Sequence, residues 1–171
     1  MTMARAGIAL GSNLGNRTAH LRMALSRLRE IADPQEPLRI SPIYQTEPMS
    51  CPPGSPDFLN AVVELAFTGT PHALLEKTRA IEKSLGRIRT GERNAPRVID
   101  IDLLYFGDQQ LDEADLTLPH PRIAERRFVL QPLADIRPDL VLPGETRPVA
   151  TLLAQLTSDE APLIRHAERI G

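Results

Sequence analysis

The chain has 171 residues, 42% apolar and 25% charged, with a net charge of −2. That length fits one domain able to bury a core, and the single Cys51 excludes an internal disulfide framework and a cysteine-based zinc site. No apolar run approaches a membrane span and no charged-then-apolar leader opens the chain, so a cytoplasmic location is expected.

In chain order, Gly7–Leu10 is a short apolar strand that breaks at Gly11-Ser12-Asn13-Leu14-Gly15-Asn16. This turn lacks the Gly-Lys-Ser/Thr ending of a P-loop and is not a dinucleotide fingerprint. Its Asn and Gly residues suit left-handed backbone and a helix cap, and a tight turn beside a sheet can also line a pocket. Leu21, Ala24, Leu25, Leu28 and Ile31 recur at helical spacing, which predicts a helix over about residues 17–32, stopped by Asp33-Pro34. Leu38, Ile40 and Tyr44 predict a second strand, with Pro42 placing it at an edge or bulge.

A proline-heavy loop over residues 46–57 holds Cys51, read as a spectator thiol. Phe58–Phe67 alternates as a strand, with Leu59, Ala61, Val63, Leu65 and Phe67 on one face and Phe58, Asn60, Val62 and Glu64 on the other. Thr70-Pro71 is a cap followed by a first-turn proline, and the stripe Leu74, Leu75, Thr78, Ile81, Glu82, Leu85 follows as a helix that Gly86 closes. Residues 98–106, VIDIDLLYF, predict a strand ended by Gly107-Asp108.

This order of strand, helix, strand, strand, helix, strand predicts an α+β fold of the ferredoxin-like βαββαβ type, an antiparallel sheet with both helices on one face. The last third predicts a strand near 109–111 and helices around 129–136 and 149–156, an elaboration on a single domain spanning 1–171. Beyond Leu156 a packed helix and a partly disordered tail both stay open.

The chemistry concentrates between Arg87 and Asp102. Arg87, Arg89, Arg93 and Arg97 against Glu92 leave +3 within eleven residues of a mildly acidic chain. Arginine forks bind phosphate oxygens, and local basicity without global basicity suits a small anionic ligand better than a nucleic-acid backbone. The chain has eighteen Arg and two Lys, a bias that explains the residue type and not the clustering. A Gly-bearing segment carrying arginines over a site is the usual form of a lid; a solvated basic loop is the alternative.

Asp100 and Asp102 leave the same face of a strand, with Cα atoms ~6.5–7 Å apart, a spacing that lets two carboxylates bridge paired divalent ions. The apolar residues between them predict a central strand; an edge strand with two solvated acids is the other reading. Magnesium polyphosphate is the ligand that needs both the arginines and the acids. Phe58 with Asn60 on one strand face suits a flat heterocycle, although taken alone a core Phe is the better reading of the ring. His20, His72 and His166 carry no assigned role.

GSNLGN, PDFLNAV at 56–62, RIRTGERNAPRVIDIDLL and LPHPRIAERRFVL at 118–130 together resemble the 6-hydroxymethyl-7,8-dihydropterin pyrophosphokinase family of folate biosynthesis, over about residues 7–142. The resemblance implies transfer of the β,γ-diphosphate of ATP to the pterin hydroxymethyl oxygen, with release of AMP and two Mg²⁺ ions held by Asp100 and Asp102. It implies that Arg87 and Arg97 act on the phosphates, with Arg97 arriving on the closing loop. Phe58 and Phe128 would sandwich the pterin, with Asn60 bonding its amide-like edge and Thr46, Glu47 and Met49 nearby. Glu82, Arg89, Leu103, Thr117, His120 and Arg126 would surround the nucleotide. Asn94, Thr90 and Pro121 depart from residues common in the family, Trp, Lys and an aromatic, and bear on loop closure. The expected partners are ATP and a pterin, with no nucleic acid, no membrane and a monomeric chain.

Two rivals remain at this level. A two-metal nucleotidyltransferase or cyclase on a similar sheet shares the Asp-x-Asp strand but needs neither Phe58, Asn60 nor Phe128. An RNA-binding module is disfavoured by the net charge of −2, by 4% aromatics and by the lack of aromatic–basic interleaving.

Overall fold

The computed structural model describes residues 3–46, 57–86, 98–157 and 163–171. Strand β1 (Met3–Ser12) leads through the glycine turn into α1 (Arg17–Ile31). Asn16 caps α1, its side chain accepting the Ala19 N–H at 3.1 Å, which satisfies one of the unpaired donors of the first turn. The second strand arrives in two pieces, β2 (Arg39–Ile40) and β3 (Tyr44–Thr46), separated across Pro42, and both pair with β4 (Phe58–Thr68). Thr70 caps α2 (Pro71–Ser84) by accepting the Ala73 N–H, and Gly86 turns out of the helix at φ +94°. Strand β5 (Asp100–Phe106) follows.

The sheet is antiparallel, in the order β5-β1-β4-β3, with β2 also on β4. Helices α1 and α2 cover one face, where Leu21, Leu25, Leu28, Leu74 and Ile81 pack on Ile8, Leu10, Leu59, Val63, Leu65 and Phe67. The face alternation predicted for residues 58–67 therefore holds.

The last third covers the opposite face. After the small β6 (Leu111–Asp112) and β7 (Thr117–Leu118) ladder and a 3-10 turn at Ile123–Glu125, α3 (Arg127–Ile136) and α4 (Val149–Gln155) pack Val129, Leu130, Leu133, Val149 and Leu152 on Val62, Leu104 and Tyr105. The described tail residues 163–171 form neither a helix nor a loose end: β8 (Ile164–Arg165) adds to the outer edge of β3, and Ile170 is buried in the α1 side of the core. Among the described residues no helix is long and apolar enough to cross a membrane.

The apolar character of residues 98–106 comes from burial on both faces and not from a central position. Among the described residues β5 is one edge of the sheet. Its outward backbone groups are nevertheless used: the Ile101 N–H donates to Glu82 of α2 at 2.9 Å, and the Leu104 carbonyl accepts the His120 N–H at 2.7 Å. Covering an edge with a helix and a loop in this way blunts it as a template for further strands. The pairing of β5 with β1 slips between Gly7 and Ile8, leaving Leu104 as an extra residue. Such a bulge re-aims the strand, and here it offers the carbonyl that anchors His120.

Candidate active site

β1 presents Gly7, Ala9 and Gly11 to the α3/α4 face, so neighbouring strands can lean their side chains over it. In register, Asp100, Gly11, Asn60 and Tyr44 form one row across four strands; Asp102, Ala9 and Val62 form the next; Tyr105, Gly7 and Glu64 form the third. The two aspartates thus leave β5 on the same face, as their spacing predicts. Both are half-buried. Two inter-strand steps separate the Asp100 and Asn60 backbones, about 10 Å.

Outside β5 opens a cleft of about 390 Å³ whose lining includes Glu82, Asp100, Asp102, Leu103, Thr117 and His120. The acid pair and four residues expected around the nucleotide therefore share one space. Pro121 lines it too. Glu82 is buried, and its carboxylate holds the N–H of Ile101, the residue between the two aspartates. That contact fixes the strand segment from which both acids project.

His120 follows the cis Leu118–Pro119 bond. Its Nδ1 accepts the Arg122 N–H at 3.2 Å, which leaves the proton of the neutral ring on Nε2. Burial lowers its pKa, Arg126 and Arg122 lower it further, and Asp100 opposes them. The ring is accordingly neutral at pH 7, a hydrogen-bond donor without added charge.

On the other side of Gly11, the Asn60 amide donates from Nδ2 to the Thr46 hydroxyl at 2.9 Å, which leaves its Oδ1 towards β1. Phe58 stands opposite Thr46 on the same face. Tyr44 completes the row, donating to Asp135 of α3; burial, with that contact second, pushes its hydroxyl up to about 12. Phe128, at the start of α3, is half-buried against the α3/α4 core, and the Arg126 guanidinium lies 5.5 Å from its ring centroid. Arg126 therefore stands between the His120 side and the aromatic side.

Arg87, Arg89, Arg93, Arg97, Glu47 and Met49 lie outside the described residues, as do Thr90, Asn94 and Cys51. The lid expectation rests on those positions. Gly11 was missed as a site residue because a glycine in a turn motif has an adequate local explanation, and its cross-strand neighbours appear only in the register. The Leu104 bulge left no signal beyond two successive leucines.

The family model of 7,8-dihydro-6-hydroxymethylpterin-pyrophosphokinase matches residues 7–138. A 2-amino-4-hydroxy-6-hydroxymethyldihydropteridine pyrophosphokinase from Methylorubrum extorquens is 45% identical over 157 residues, covering 90% of this chain and 94% of that one. The protein of the same description from Synechocystis is 39% identical, covering 87% of this chain and 74% of its own. The folic acid synthesis protein fol1 of Schizosaccharomyces pombe is 38% identical over 88% of this chain, which spans 20% of its length. Among solved structures, a Plasmodium falciparum HPPK-DHPS bound to pterin and p-hydrobenzoate superposes with a TM-score of 0.66 at 14% identity. That match covers 90% of this chain and 44% of the other, a likeness of fold.

Proposed function

The chain belongs to the 7,8-dihydro-6-hydroxymethylpterin-pyrophosphokinase family, and from that membership we propose how its cleft and its Asp100–Gly11–Asn60 row carry out the family's reaction. It is a pyrophosphokinase of folate biosynthesis. The pterin hydroxymethyl oxygen attacks the β-phosphorus of ATP, the bond from that phosphorus to the α,β-bridging oxygen breaks, and AMP leaves with the bridging oxygen while the hydroxyl proton is released. The observation that carries the assignment of residues is the meeting of Asp100, Asp102, Glu82, Leu103, Thr117 and His120 in one cleft. Asn60 and Phe58 stand beyond Gly11 on the same sheet face.

The donor set fits magnesium: two hard carboxylates, half-buried and two residues apart on a strand whose backbone Glu82 fixes. Two Mg²⁺ ions at Asp100 and Asp102 would neutralise polyphosphate charge and orient it for in-line displacement. The chain's own groups do the rest. His120 offers a neutral Nε2–H to the nucleotide side. Asn60 directs Oδ1 to the pterin edge, Phe58 and Phe128 supply flat apolar surface, and Arg126 adds positive charge between the two substrates. The family resemblance assigns Arg87, Arg89 and Arg97 to the phosphates, and Glu47 and Met49, with Thr46, to the pterin. An alcohol needs little covalent help in phosphoryl transfer, so alignment and charge supply most of the rate. The strand order, with α1 and α2 on one face, supports a ferredoxin-like core beneath this site.

Nucleotide analysis after mixing the protein with MgATP and 6-hydroxymethyl-7,8-dihydropterin tests the reading. AMP formed only with the pterin present supports it; ADP, cyclic AMP or no turnover ends it. The pterin half has its own test. Thr46→Val keeps shape but removes the acceptor that holds the Asn60 amide. The pterin KM should rise by about tenfold, roughly the value of one oriented hydrogen bond, with the MgATP KM unchanged. An unaltered pterin KM would show that Thr46 does not orient Asn60.

A further inference from the structure

Gly11 stands opposite both Asp100 and Asn60, on the one strand that separates them. Its backbone is outside the left-handed region, so φ does not require glycine there. The requirement comes from what hangs over it. A Cβ at this position would lie 3.1 Å from Asn60 Oδ1, 3.7 Å from Phe58 Cδ1 and 3.9 Å from the Leu59 carbonyl oxygen. Its neighbour Leu10 points into the α1/α2 core, so a side chain at 11 would rise on the site face.

We propose that Gly11 is the floor of the transfer path, a positioning residue whose missing side chain lets Asn60 and Phe58 lean over β1 and lets the pterin hydroxymethyl group reach the polyphosphate gathered at Asp100. The inference rests on the pyrophosphokinase reading. The backbones that carry Asp100 and Asn60 lie about 10 Å apart across the sheet, one on the polyphosphate side and the other on the pterin side. The reacting oxygen and phosphorus must meet between them, above β1. A methyl group there moves Asn60 by a few tenths of an ångström, and with it the pterin that Asn60 orients. Small misplacements of this kind are costly when catalysis is mostly alignment.

Gly7 provides the control. It lies on the same strand and face, but a Cβ there would strike the Tyr105 ring at 2.2 Å, away from the substrates. Gly11→Ala should keep its thermal midpoint and its affinity for a non-hydrolysable MgATP analogue, while kcat/KM for the pterin falls by about tenfold or more. Gly7→Ala should lower the midpoint and leave kcat/KM per folded molecule within about twofold. Because the clash is with Asn60, the losses from Gly11→Ala and Asn60→Ala should be less than additive. If Gly11→Ala does not fold, the Gly11→Ala/Asn60→Ala pair should fold and match Asn60→Ala in activity.

Wild-type turnover is measured first. An inactive wild type overturns the pyrophosphokinase reading and this inference with it. An active wild type overturns the inference alone in any of three cases: an unaffected Gly11→Ala, full additivity with Asn60→Ala, or a double variant that still fails to fold.

Discussion

Asp100→Ala and Asp102→Ala should each lower turnover by about 10³-fold, roughly 4 kcal/mol of transition-state stabilisation. The magnitude follows from the chemistry of a triphosphate. Its charge must be neutralised where the β,γ-diphosphate separates from AMP, and among the described residues no nucleophilic Ser/His pair is evident to share that work. The two carboxylates project from a strand held by β1 on one side and by the Glu82–Ile101 contact on the other. Each is only half-buried, so removing one trims the site face and not the hydrophobic core. The variants should therefore unfold near the wild-type midpoint and keep the wild-type circular dichroism. Steady-state turnover at saturating substrates, together with a thermal scan, checks both halves of the claim. Near-normal turnover in either folded variant would end the assignment of the acid pair to the metals.

The largest expected effect on stability lies elsewhere on the same face. Glu64 is fully buried in the middle of β4, bonded to the Tyr105 hydroxyl, to Arg137 beyond α3 and to Arg5 on β1 at 2.9 Å. This one carboxylate ties three strands to the helical layer that covers the site. Burial first, then the charge of Glu64, pushes the Tyr105 hydroxyl well above the usual phenol range. The phenol is therefore a permanent donor. Glu64→Ala leaves that hydroxyl without its acceptor and two guanidinium groups beside a cavity. Breaking a buried pair from one side costs about 3–5 kcal/mol, a large part of the stability of an ordinary domain. Both arginines keep some solvent contact, with side chains 27% exposed, which places the loss at the lower end. Urea denaturation should show a lower midpoint with an unchanged slope. A midpoint within experimental error of wild type would mean that solvent replaces the network without loss.

The parts of the fold set by local chemistry were legible in the sequence. Asn16 and Thr70-Pro71 start α1 and α2 because side-chain oxygens satisfy first-turn donors, and Gly86 ends α2 because it accepts a positive φ. The period of two assigned the faces of β4 and put Asp100 and Asp102 on one side of β5. What escaped depends on register. An edge strand covered on both faces has the same composition as a central one, so β5 was misplaced. Glu64 read as one more polar residue on an alternating strand, since its three partners lie 41 to 73 residues away. The tail carries too few apolar residues to announce β8, and it is held by pairing with β3 and by the burial of Ile170. At the site, local spacing disclosed the paired acids. Gly11 acquires its meaning from two strands that flank it in space and not in sequence.

The central claim is that this chain moves two phosphates as a unit onto an alcohol. ³¹P NMR of the reaction with MgATP and 6-hydroxymethyl-7,8-dihydropterin tests it directly. The account predicts that the three ATP resonances give way to one AMP signal and a coupled pair from a diphosphate ester on the pterin. A single uncoupled phosphate on the pterin, appearing with the coupled pair of ADP, would contradict it.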